Sequence, residues 1–83
     1  MMKNLPRNVN SAAQGAIAIT PHDTNALASP VRAVTIGTAE GVIRYRHAGA
    51  DYTTGPLPIG LHAFEADLIY ATGTTATGLT GWL

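Results

Sequence analysis

Three histidines and five acids are the side chains able to do acid–base or metal chemistry in this sequence: His22, His47, His62, Asp23, Glu40, Asp51, Glu65 and Asp67. A metal centre needs three or four convergent ligands. No histidine pair has an i, i+4 motif spacing, and there is no cysteine, so thiolate ligands, disulfides and thiol chemistry are excluded. A hydrolase triad would need a placed serine. Ser11 and Ser29 both lie in irregular stretches, and neither sits in G-x-S-x-G. Glu65 and Asp67 stand at i and i+2, so in a strand they share a face. Paired carboxylates about 5–9.5 Å apart serve glycosidases, but 83 residues leave no room for a substrate-sized cleft. An acidic edge, solvated or in an interface, is the plainer reading. No catalytic residue, cofactor or metal is expected.

The Gly/Thr stretch GTTATGLTG, residues 73–81, resembles a phosphate loop only in its glycines. It lacks the G-K-[ST] ending and no helix follows it. It reads as a turn between strands. Arg44, Tyr45 and Arg46 set a basic pair on one strand face with an aromatic behind it. Nucleic-acid binding by counterion release would want far more positive charge than a net charge of zero. A contact to an acidic neighbour, or solvation, suits the pair better. Trp82 and Leu83 are large terminal anchors that either close the core or plug a neighbouring subunit. The interface candidates are therefore Arg44, Tyr45, Arg46, Glu65, Asp67, Trp82 and Leu83.

The elements that must position these residues read as short strands. Residues 1–14 have no period and are rich in Asn, Ser and Pro, which reads as an extended N-terminal arm. Residues 15–83 read as one β domain. AIAIT (16–20) is a short strand, and PHDTNALASP (21–30) is a loop bounded by prolines. VRAVTIG (31–37) and VIRYRH (42–47) are alternating and β-branched, and the short connection TAEG between them predicts a hairpin. Residues 48–50 turn, and DYTT (51–54) is a brief β segment. GPLPIG (55–60) is a loop whose two prolines argue against ladder bonds. LHAFEADLIYA (61–71) fits both a helical stripe and strand alternation. GLTGWL (78–83) is a terminal strand. Five to seven short strands at this spacing predict an all-β fold, a small antiparallel sandwich or barrel.

Composition sets the energetic problem. Only 12% of residues are Asp, Glu, Lys or Arg, about half the ~25% of ordinary soluble domains. A domain of ~60–70 residues buries too little surface to be robust without a staple. Oligomerisation is the staple left when disulfides and metals are absent, so a homo-oligomer is expected. Residues 1–50 hold Lys3, Arg7, Arg32, Arg44 and Arg46 against Asp23 and Glu40, while residues 51–83 hold only Asp51, Glu65 and Asp67. The split is either chance or a device that sets register between neighbouring subunits. No apolar run approaches the ~20 residues of a membrane helix, and no secretory signal is evident.

Residues 31–83 resemble small phage and prophage proteins of the spike-base type, found in virion gene clusters and in gene transfer agents. The likeness rests on P-H-D-T (21–24), V-R-A-V-T-I-G-T-A (31–39), G-P-L-P-I-G (55–60) leading into a long strand, and above all A-T-G-T-T-A-T-G-L (71–79) before an apolar end. It makes residues 61–71 a strand. The family's acidic D-G-T turn is weakened here to A-G-A-D (48–51), and His62, Glu65 and Asp67 replace a more basic final strand, which implies a changed partner. The resemblance implies a structural, non-enzymatic virion protein. It would be made in the host cytoplasm and placed on the outer capsid surface. Its partners would be itself, the major capsid protein and a spike or fibre protein, with no nucleic acid and no membrane. A base for a head spike and a cementing decoration protein are both open. The other readings are a tail or neck component, and a carbohydrate-binding module with Tyr45, Tyr52, Tyr70 and Trp82 as a stacking platform.

Overall fold

The computed structural model describes residues 15–83, and the arm expected over residues 1–14 lies outside them. The described chain is all-β and antiparallel. Its strands are β1 (Ala16–Ala18), β2 (Ala33–Ala39), β3 (Arg44–His47), β4 (Ala50–Thr53), β5 (Gly60–His62), β6 (Leu68–Ile69) and β7 (Thr77–Trp82). They form a four-stranded sheet, β1-β7-β2-β5, and a three-stranded sheet, β4-β3-β6.

Alternation decides what each sheet buries. Val34 and Ile36 of β2, and Leu79 of β7, point to one side of the larger sheet and are buried. They join Ile43, Ile69 and Ala66 from the smaller sheet and its approaches, with Ile19, Val31 and Ala76, in one apolar core between the sheets. Ile17, Leu27, Leu57, Phe64 and Leu83 pack against its rim. Such a core is thin for its chain length, as the composition leads one to expect.

The expected hairpin between residues 31–37 and 42–47 is not formed. β2 pairs with β5 and β7, whereas β3 pairs with β4 and β6. The residues after β2 instead carry the chain across to the other sheet. Gly41 exchanges backbone hydrogen bonds with Leu57, and the Val42 carbonyl accepts from Thr75 N at 2.8 Å. The two-residue hairpin is β3–β4. Its turn residues, Ala48 and Gly49, have φ of 53° and 82°. These positive values are those of the turn whose twist matches antiparallel strands.

Two further expectations fail for one reason, the need to cross between layers. Residues 61–71 are not one strand: β5 belongs to the larger sheet and β6 to the smaller, with an irregular crossing between them. Strict alternation breaks at Leu68 and Ile69, both 1% exposed. The GPLPIG loop also makes one ladder contact, because Leu57 between the two prolines retains its N–H and donates it to Gly41 O at 2.9 Å.

The β1–β2 loop is held along β6 by His22 N and Leu27 N, which donate to the carbonyls of Ile69 and Asp67, each at 2.9 Å. Opposite Gly78 (φ +72°) the register of β2 slips between Ile36 and Ala39. A Cβ there would stand 2.7 Å from Thr38 N, so only glycine fits the bulge.

Candidate interaction surface

Every Asp, Glu, Lys or Arg found in a strand belongs to the three-stranded sheet: Arg44 and Arg46 on β3, Asp51 on β4. Tyr45 faces the other way from the two arginines, as alternation requires. Arg44 Nη2 lies 3.8 Å from Asp51 Oδ2, and its guanidinium sits 4.2 Å over the Tyr70 ring. The Tyr70 hydroxyl donates to Asp51 Oδ1 at 2.6 Å. That bond, with some desolvation, holds the phenol above its usual pKa, because ionisation would set two anions side by side.

Glu65 and Asp67 do not share a strand face, since neither is in a strand. They serve adjacent residues of opposite parity on β3. Asp67 Oδ1 lies 3.6 Å from Arg46 Nε, and Glu65 Oε1 lies 3.2 Å from His47 Nε2. Asp67 Oδ2 accepts from Ala48 N at 3.3 Å, whereas Oδ1 is buried with no hydrogen bond. The opposite charges of the two halves of the sequence thus meet within one chain. The pairs are half-exposed, where ion pairs contribute ~0–1 kcal/mol each. They fix the shape of a charged surface more than they stabilise the fold.

The outer face of the four-stranded sheet is the converse. β1, β2, β5 and β7 contain no Asp, Glu, Lys or Arg at all. Ala16 and Ala18, Thr80 and Trp82, and Ala33 and Thr35 lie on it in register. Trp82 is on this outer side, its indole N–H donating to Thr35 Oγ1 at 2.8 Å. Leu83 turns inward against the chain's own core, and its N–H donates to Gly15 O at 2.9 Å. The two terminal anchors therefore part, one to each side of β7. At the β5 edge Ile59 and Leu61 stand 57% and 65% exposed. Sequence reasoning passed over both; the signal was two large aliphatics left beside Pro58 and Gly60, where no core can form around them.

The four aromatics considered as a sugar platform do not make one. Tyr45 and Tyr52 stack on each other at 5.4 Å between centroids, and Phe64 packs on Tyr45 at 4.6 Å. Tyr70 lies under Arg44 on the opposite side of the smaller sheet, and Trp82 is in the other sheet.

The two most distinctive motifs turn out to grip the fold. The Asp23 carboxylate of P-H-D-T accepts from Thr72 N at 2.8 Å and from Thr72 Oγ1 at 2.7 Å. The Thr72 backbone N–H, then its hydroxyl, keeps Asp23 below the ordinary carboxylate pKa. Further along, Thr75 Oγ1 accepts from Val42 N at 2.8 Å. Thr74 Oγ1 accepts from Arg44 N at 3.0 Å and donates back to Arg44 O at 3.4 Å. These hydroxyls stand in for the main-chain partners that a neighbouring strand would supply. Among the described residues, no group of three or more His, Cys, Asp or Glu is placed to hold a metal ion.

No family model matches this sequence, and no curated protein does. A solved structure does. Its chain, from the capsid of a native gene-transfer-agent particle computed with C5 symmetry, is 30% identical, superposes with a TM-score of 0.79, and is matched over 94% of this chain and 92% of its own length. With that identity over nearly the whole of both chains, this protein belongs to the same family as the gene-transfer-agent capsid chain, a family of phage-like virion proteins.

Proposed function

We propose that the chain is a capsid-decorating subunit, carried on the outer surface of a phage-like particle as a homo-oligomer and serving as the base of a head spike or fibre. The observation that carries this reading is the 30% identity and the superposition, over 94% of this chain, on a chain of a gene-transfer-agent capsid. The uneven surface supports it. A wholly uncharged strand set on one sheet is unusual for a small free domain, which depends on surface charge to stay apart from its copies. The charged side, with Arg44, Arg46 and Asp67, meets the major capsid protein or the spike, while Glu65 pairs with His47 and Tyr45 packs with Tyr52 and Phe64 on the other side of β3. Its internally compensated pairs set orientation there more than affinity. Trp82 belongs to the uncharged side. Leu83, packed on its own core, supports the subunit rather than a neighbour. Residues 1–14 add to the capsid contact.

The test is reconstitution. Purified full-length protein is mixed with particles that lack it, and the particles are sedimented. Full-length protein should pellet at a fixed ratio to the capsid protein. Protein lacking residues 1–14 should keep its β-type circular dichroism and stay in the supernatant. Equal pelleting of both forms would remove residues 1–14 from the contact, and failure of the full-length chain to pellet would overturn the decorating role.

A further inference from the structure

We infer that the two edges of the four-stranded sheet that no strand among the described residues covers join copies of this chain head to tail, with Ile59 and Leu61 of one copy entering the cavity beside β1 of the next. The inference rests on the reading of the chain as a subunit of an assembly, and it names the surface that assembles. Large apolar side chains stand exposed at one edge, on and just before β5. At the opposite edge, between β1 and the loop that follows it, lies an open cavity of about 280 Å³, where Ile17, Ala18, Ala26, Leu27 and Ala28 form the apolar wall and Thr20, His22 and Asn25 the polar rest. It has room for branched aliphatic side chains. An apolar knob and a mainly apolar hole at different places on one molecule generate a heterologous contact, which closes as a ring or runs on as a filament.

Strand direction agrees with this pairing. β1 is antiparallel to β7, β7 to β2, and β2 to β5. Three reversals leave β1 and β5 opposed, so a second copy's β1 laid beside β5 continues the alternation unbroken. Both edge strands are three residues long. Charge agrees as well. Edge strands are commonly blunted by Lys or other charged residues, and neither edge strand here has an Asp, Glu, Lys or Arg. An uncharged edge meets an uncharged edge without desolvating an ion. Pro58 keeps any pairing short, so the side chains in the cavity carry the specificity.

The experiment uses the full chain, sedimentation velocity and native mass spectrometry. Wild type should run as a closed oligomer. Leu61→Asp, altered at an exposed position on the β5 edge, should run as a monomer with unchanged circular dichroism. Ala18→Asp, or Ala28→Glu if the former fails to fold, should do the same from the cavity side. Each variant keeps one good edge, so mixing the two should give a one-to-one dimer and nothing larger. A Leu61→Asp protein that keeps the wild-type mass overturns the inference, as does a mixture that forms no dimer. A monomeric wild type that still binds particles overturns the edge pairing and leaves the capsid-decorating role standing. Oligomers that bind no particle do the reverse.

Discussion

At the residue scale the side chains that first suggested chemistry serve the architecture. Asp23 is the clearest case, since both its oxygens are used to hold Thr72, forty-nine residues away. Its carboxyl pKa is lowered in the folded protein. A depressed folded pKa means that the contact stabilises fully above the unfolded value, 3.8, and is lost as pH falls through the folded value. Asp23→Ala should therefore lower the melting temperature at neutral pH, and the gap to wild type should begin to narrow below about pH 4 and close as pH falls through the lowered folded value. Thermal melts of both proteins from pH 7 to pH 2 test this. A gap that persists unchanged at pH 2 would show that the carboxylate is not the source. P-H-D-T was visible in the sequence as a polar loop, and the Gly/Thr stretch that follows Thr72 as a turn. Their pairing was not, because a hydrogen bond across forty-nine residues leaves no local pattern.

At the element scale, local signals were read well and pairings poorly. Alternation located segments near all of the strands except the split at residues 61–71, and it placed Tyr45 opposite Arg44 and Arg46. Which strand lies beside which is set by the two-layer packing. The chain crosses between sheets after β2 and again between β5 and β6, and a crossing of a few residues looks like a turn or a strand interior in sequence. The true hairpin, β3–β4, carries a correctable flaw. Ala48 sits at φ 53°, where a Cβ is unfavourable. Ala48→Asn would make the favoured Asn-Gly turn and keep the N–H that Asp67 accepts. It should stabilise the protein by about 0.5–1 kcal/mol, a rise of roughly 2–8 °C in melting temperature for a domain this size. A lower melting temperature would mean that the turn does not hold this geometry.

At the scale of the whole molecule, the protein is a thin core between two dissimilar sheets. One has every charged strand residue, paired among neighbours. The other has none, and exposes Ile59 and Leu61 at its edge. Low charge was legible in the composition. The segregation of that charge between layers was not, because it depends on which strands share a sheet. In the proposed role, a subunit with this division would stand between two kinds of surface: copies of itself along the uncharged sheet edges, and capsid or spike against the charged side. The likeness to a gene-transfer-agent capsid chain, over nearly the whole of both chains, supports a place in a virion. The most direct test is a cryo-electron-microscopy reconstruction of the particles produced with this chain, at a resolution that traces strands. The expected result is density for this two-sheet fold on the outer capsid surface, in copies around a symmetry axis. Its absence from the particle, or its placement inside the shell or in the tail, would contradict the account.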